Sequence, residues 1–159
     1  MTIAIYAGSF DPITNGHLDI LKNASTIFDK VIIAVAYNVN KKALIPTQDR
    51  INLIKTAVAE LKNVEVDSYE GLTYEYAKKQ NATVLVRGIR NSKDFEYEME
   101  LAQANNSVCS DLKTVCLFPK PELSFVSSSL VREIVANKGD VSKFVPQPVY
   151  EYLNTKYDI

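Results

Sequence analysis

The chain has 159 residues, with eighteen Lys and Arg against nineteen Asp and Glu and a formal charge of -1. That length suits one ordinary domain, residues 1–159, able to bury a real core, and the charge balance offers no basic field to hold nucleic acid by counterion release. Cys109 and Cys116 stand outside any CxxC pair, the longest apolar run is "VIIAVAY" at 31–37, and neither a zinc site, a disulfide framework nor a bilayer span is expected.

Both thiols read as buried groups of a reducing compartment, and the whole as a soluble, cytoplasmic protein. The first run, "TIAIYA" at 2–7, is continuously apolar, as a buried parallel strand is. It is followed by "GSFDPITNGH" at 8–17, which holds two glycines, a proline and the sole histidine. Asp11-Pro12 and Asn15-Gly16 are turn signals, so a helix begins near Gly16 or His17 and turns its free N–H groups toward the crevice above the strand. Those groups suit an anion, with Ser9 and His17 in reach and no side chain at Gly16; the plain alternative is a connection with an incidental histidine. "HLDILKNASTIF" then sets Leu18, Leu21, Ala24 and Phe28 on one helical face.

"KVIIAVAY" at 30–37 is the second strand, and Lys41-Lys42 after it are ammonium groups on the same rim. "QDRINLIKTAVAEL" gives the next helix, through Ile51, Ile54, Val58 and Leu61. "VEVDSY" at 64–69 and "TVLVRG" at 83–88 are further strands, the latter running into "VRGIR" at 86–90. Arg87 and Arg90 there read as uncompensated guanidinium forks for phosphate, or else as a solvated pair or partners of Asp94 and Glu96. "DFEYEMELAQANNSV" is a helix whose acidic side, Glu98 included, reads by itself as solvated; Tyr97, Met99, Leu101 and Ala102 read as packing.

"KTVCLF" at 113–118 is the fifth strand, and "LSFVSSSLVRE" at 123–133 brings three serines to a helix start. An N-cap accounts for one of them; the others read as an oxyanion cradle. "QPVYEYLNTKY" closes the chain as a helix. Alternating strands and helices predict an α/β, single-domain, Rossmann-like open parallel five-stranded sheet with helices on both faces and a ligand crevice at the strands' carboxyl ends. The chain lacks GxxxxGK[ST], and its first turn lacks GxGxxG. Phosphate-friendly groups after four of the five strands point to phosphoryl or nucleotidyl chemistry.

"GSFDPITNGH", "VRGIR", "DFEYEMELA" and "SFVSSSLVREI" together resemble bacterial phosphopantetheine adenylyltransferase over essentially the whole chain. Thr14 holds the first position of the HxGH motif of the wider nucleotidyltransferase superfamily, as it does in this family. The resemblance implies transfer of an adenylyl group from ATP to 4'-phosphopantetheine with Mg2+, giving 3'-dephospho-coenzyme A and pyrophosphate in coenzyme A biosynthesis, by a homohexamer. It implies that ATP is held by Ser9, Phe10, His17, Gly88, Ile89, Arg90, Glu98, Leu123, Ser124, Phe125, Val126, Ser127, Ser128 and Ser129. Ser9, Lys41, Thr73 and Arg87 are the implied contacts to the pantetheine substrate, and His17, Lys41 and Arg90 the catalytic groups. An attacking phosphate is already ionised, so alignment and charge neutralisation suffice, with neither a covalent intermediate nor a general base.

Three positions depart from the family's usual pattern: Ser9 for threonine, Thr73 for an apolar residue, Leu123 for tryptophan. The rivals are a nucleotidyltransferase acting on nicotinamide mononucleotide or glycerol 3-phosphate, against which Thr14 speaks, and a module that senses ATP or coenzyme A without turnover.

Overall fold

The computed structural model describes residues 1–38, 40 and 42–159. In chain order the elements are β1 (Ile3–Gly8), α1 (Asn15–Ile27), β2 (Lys30–Ala36), α2 (Thr47–Ala57), β3 (Val64–Tyr69), α3 (Thr73–Lys79), β4 (Val84–Gly88), α4 (Ser92–Val108), β5 (Lys113–Leu117), α5 (Ser128–Ala136) and α6 (Gln147–Tyr157). The five strands form one parallel sheet in the order β3-β2-β1-β4-β5. The chain winds outward from β1 to β3 and then returns to β4 on the other side of β1. That reversal opens a crevice at the carboxyl ends of β1 and β4, the place where a sheet of this kind takes a ligand.

Alternation along the strands sorts the core. Ala4, Tyr6, Val31, Ile33, Val35, Val84 and Val86 pack with Leu21 and Ala24 of α1, Ile51 and Ile54 of α2, Val131 of α5 and Leu153 of α6. On the other face, Ile5, Ala7, Ile32, Ala34 and Leu85 meet Tyr76 and Ala77 of α3 and the end of α4 at Cys109. Helices therefore cover both faces, as the pattern predicts, but unequally. In α4 only Glu98 is buried, while Phe95, Tyr97 and Met99 are 49%, 59% and 44% exposed. Tyr97 and Met99 thus lie outside the chain's buried core rather than packing in it, because α4 touches the sheet through its charged side.

Other boundaries also differ from expectation. Helix α1 starts at Asn15, because Thr14 caps it, and α2 ends at Ala57 rather than Leu61. Helix α3, unanticipated, is a seven-residue segment. Cys109 and Cys116 are half-buried free thiols, not fully buried ones. No helix among the described residues is long and apolar enough to cross a membrane.

Candidate active site

The turn between β1 and α1 is held from several directions. The Asp11 carboxylate accepts the backbone N–H groups of Leu44 and Ile45, both at 2.8 Å, and Arg132 donates to the Asp11 carbonyl at 2.8 Å. Ser128 Oγ donates to the Pro12 carbonyl at 2.7 Å, and Arg50 donates to the Ser9 carbonyl. Phe10 sits at φ +44, a conformation that costs a side-chain-bearing residue of order 1 kcal/mol, and its ring lies against Gly8, where a Cβ would come within 3.0 Å. The neighbouring contacts overdetermine a strained turn.

Thr14 closes the turn as N-cap. Its hydroxyl accepts the His17 N–H at 3.3 Å, while its own N–H donates to His17 Nδ1 at 3.1 Å. This is a capping box in which histidine takes the place of the usual Glu or Gln. Because Nδ1 accepts, the ring proton belongs on Nε2. Burial, reinforced by Arg90, pulls the imidazole pKa down to about 4. At neutral pH His17 is an uncharged donor with one nitrogen left for a ligand.

The turn between β4 and α4 is built from charge. Glu98 receives Arg87 Nε and a terminal nitrogen, each at 2.6 Å, and Arg87 also donates to the Ala7 carbonyl at 3.1 Å. Burial opposes the Arg87 charge, but the bonds to Glu98 outweigh it and raise the pKa. Arg90 meets Asp94 through Nε at 2.9 Å and its own backbone N–H at 3.0 Å. Burial of Asp94 is likewise outweighed by those bonds, which hold its carboxyl below the usual range. Neither arginine is an uncompensated fork: the alternative of carboxylate partners holds for Asp94, while Glu98 stands in place of the expected Glu96, because α4 starts at Ser92 and carries one carboxylate back to each. Nor is Glu98 part of a solvated face; it is 8% exposed.

The third wall is the start of α5. Ser127 caps it by accepting the Leu130 N–H at 3.1 Å, Ser128 is bonded to Pro12, and Ser129 accepts from Arg132 at 3.1 Å. One cleft of about 310 Å³ joins the three walls. It brings together Ser9, Phe10, His17, Arg87, Gly88, Arg90, Glu98, Leu123, Val126, Ser127, Ser128 and Ser129.

Four expected residues face elsewhere. Ile89 is buried and its N–H is taken by the Leu117 carbonyl at 2.9 Å; Ser124 Oγ donates to the Pro121 carbonyl at 2.9 Å. Phe125 is 59% exposed, edge-on to Phe144, and the Thr73 hydroxyl is bonded to the Tyr69 hydroxyl at 2.7 Å. Lys41 lies outside the described residues. Lys42 lines a neighbouring hollow that shares Ser9 and Arg132 with the cleft.

The cleft also holds Tyr6, Asp94 and Arg132, which the sequence reading did not assign to it. Arg132 was within reach of sequence reasoning, since a residue three after Ser129 shares its helix face. Tyr6 is the last inward-facing residue before the turn, a position that matters only once the β1–β4 neighbourhood is known.

The family model described as Cytidylyltransferase-like matches residues 5–134. A phosphopantetheine adenylyltransferase of Desulfitobacterium hafniense is 46% identical over 157 residues, covering 99% of this chain and 96% of that protein. The chain belongs to the phosphopantetheine adenylyltransferases. Another of them, from Herpetosiphon aurantiacus, is 49% identical over 99% of this chain and 95% of its own length. In fold alone, the chain also resembles the Plasmodium falciparum nicotinic acid mononucleotide adenylyltransferase complexed with NaAD, with a TM-score of 0.70 at 20% identity over 99% of this chain and 96% of that one. For a phosphopantetheine adenylyltransferase, the cleft's position at the switch between β1 and β4 is where the nucleotide chemistry is to be sought.

Proposed function

We propose that the protein transfers the adenylyl group of ATP to 4'-phosphopantetheine, releasing pyrophosphate and forming 3'-dephospho-coenzyme A, a step of coenzyme A biosynthesis, within one domain of residues 1–159. The observation that carries this reading is the convergence in one cleft of an uncharged His17 donor, two buttressed arginines and the serine-rich start of α5. An oxygen of the acceptor phosphate attacks the α-phosphorus in line as the bond to the bridging oxygen breaks. No protein nucleophile is needed, only alignment and stabilisation of charge on the phosphoryl oxygens.

His17 Nε2–H donates to an α-phosphoryl oxygen, and Arg90, with Lys41, neutralises charge as it shifts toward the leaving group. The departing pyrophosphate is received by Ser127, Ser128, Ser129 and the α5 amides, with Arg132 beside them. Arg87 and Ser9 bind the acceptor's phosphate end, with Thr73 farther along its arm. The nucleotide itself lies along Phe10, Gly88 and Leu123.

Magnesium enters as part of the substrate, on the phosphates of ATP. The residues present do not make a protein cage for it: the cleft's two carboxylates, Asp94 and Glu98, are each engaged by an arginine, and the described residues contain no cluster of three metal-ligating side chains. The exposed apolar side of α4, Phe95, Tyr97 and Met99, supports assembly into a homohexamer, which sedimentation of the full chain tests. A cytoplasmic site of action follows from the substrates.

The decisive experiment offers ATP and magnesium with 4'-phosphopantetheine, nicotinamide mononucleotide or glycerol 3-phosphate separately, and weighs the products. Pyrophosphate with dephospho-coenzyme A, from the first acceptor only, is the expected result. Turnover of another acceptor overturns the substrate, and ATP binding without turnover of any of the three overturns the enzyme.

A further inference from the structure

Four tyrosine hydroxyls of this chain are bonded to protein atoms: Tyr69 to Thr73, Tyr76 to Asp67, Tyr152 to Asp49 and Tyr157 to the Leu44 carbonyl. Tyr6 differs. Only 5% of the residue is exposed, yet its hydroxyl has no hydrogen-bond partner among the described residues, and what remains uncovered faces the cleft. The ring is buried but the hydroxyl oxygen is not sealed in: among the described residues only Arg50 Nε is a fully buried side-chain polar atom without a partner, so the Tyr6 oxygen is the polar tip that the ring presents to the cleft. The partner it does not find in the protein comes from whatever fills the cleft, water or a ligand.

The position of that hydroxyl narrows what the ligand atom is. The Tyr6 ring stands edge-on to Phe10 and His17, at centroid distances of 5.3 and 6.4 Å, so it forms one floor with them. Gly88 runs beside the hydroxyl: a Cβ there would lie 3.7 Å from the Tyr6 oxygen, and nearer still to Ile20, so the lack of a side chain leaves backbone next to the hydroxyl. Around it stand the guanidinium groups of Arg87 and Arg90 and the carboxylate of Glu98, with uncharged His17 alongside. The cleft as a whole holds three cations, Arg87, Arg90 and Arg132, against two carboxylates, Asp94 and Glu98, a balance that favours a negatively charged acceptor, and an O–H donor among them suits an oxygen that bears charge.

We infer that Tyr6 is a ligand-binding residue of the cleft, its hydroxyl donating a hydrogen bond to a phosphoryl oxygen held between His17 and Gly88. The inference rests on the adenylyl-transfer reading and extends it to a residue that neither the motifs nor the relatives single out. Burial raises the phenol pKa well above its ordinary value, so the donor proton is retained throughout the working range. The oxygen belongs either to the α-phosphoryl group of ATP or to the acceptor phosphate; the two substrates distinguish these sources.

The test is Tyr6→Phe in the full chain, which keeps the ring and removes only the hydroxyl. Initial rates are measured with ATP and 4'-phosphopantetheine varied in turn, together with ATP binding by calorimetry and melting of the ligand-free protein. The expected result is a loss of about tenfold in kcat/KM for at least one substrate. The melting temperature should be unchanged or slightly higher, since no protein partner is lost. A rise confined to the KM for phosphopantetheine assigns the oxygen to the acceptor. A fall in kcat or in ATP affinity assigns it to the α-phosphoryl group.

Wild-type constants for both substrates overturn the inference and leave adenylyl transfer standing, as does a rate loss matched by a fall in melting temperature, which marks packing. Should the wild-type chain release no pyrophosphate, the functional reading fails separately, and ATP affinity decides: about tenfold weaker binding in Tyr6→Phe upholds the contact, equal binding removes it.

Discussion

The two turns that flank the cleft solve the same problem with different materials. Between β1 and α1 the ligand-facing donor is neutral, and the backbone is pinned by Arg50, Arg132 and Ser128 from outside the turn and by Asp11 within it. Between β4 and α4 the donors are cations, and each is steadied by a carboxylate of one helix. The first wall has its shape and its proton fixed before a ligand arrives. The second holds positive charge ready in compensated form, so a phosphate must share a guanidinium that already has a partner. Rigid neutral donors suit the atom where charge develops; paired cations suit a substrate that must also leave.

The sharpest way to break this contrast is at His17. His17→Ala lowers kcat by about 10²- to 10³-fold while the dissociation constant of ATP changes little, as single-turnover rates and calorimetry will report. Equal losses in both would return His17 to ordinary binding.

The same residue gives the next largest effect, on stability. Its pKa in the folded chain, about 4, lies below the ordinary 6.5, so the unfolded chain binds the proton more readily between those values. The contribution is intact above pH 6.5 and is lost as pH falls toward 4, on the order of 3 kcal/mol. Denaturant melts should show a shallower acid loss in His17→Asn than in the wild type. The kcat profile of the wild type should carry no histidine titration between about pH 6 and 8.

At the second wall Glu98→Ala leaves Arg87 unpaired in a largely buried place, at a cost of about 2 kcal/mol by urea unfolding. Arg87→Ala raises the KM for phosphopantetheine about tenfold with kcat nearly kept. Asp94→Ala, which frees a more exposed guanidinium, costs under about 1 kcal/mol. If the two carboxylate variants were equally damaging, the distinction between a buried brace and a surface pair would fall.

The strands and the longer helices were legible because β-branched runs and helical spacing state burial directly in the sequence, as at "KVIIAVAY" and at Leu18, Leu21 and Ala24. Helix α3 escaped because seven residues, "TYEYAKK", span two turns and give the period too little to repeat. The cap of α1 was missed for a chemical reason: the third position holds an imidazole where the familiar signature has a carboxylate or amide.

At the site, the sequence gathers Ser9, His17, Arg87, Arg90 and the serines at strand ends, and these do converge. It does not state which carboxylate returns to which arginine. Arg87 and Glu98 are eleven positions apart, one on β4 and the other in the second turn of α4, so no shared helical face joins them and only the path through Asn91 does. Nor can spacing reveal that Ile89 spends its N–H on β5. Competition for backbone groups is a property of neighbours in the sheet.

The strand order carries a consequence for how the chain comes to exist. β1 is made first and lies at the centre of the sheet, paired on one edge with β2 and on the other with β4, which begins only at Val84. A nascent chain halfway through synthesis has half a sheet, with the β4-side edge of β1 bare. The cleft has no second wall until that edge is filled. Ribosome-bound fragments ending before Val84 should bind chaperones or aggregate, and protection should arrive with the β4 segment rather than in proportion to length.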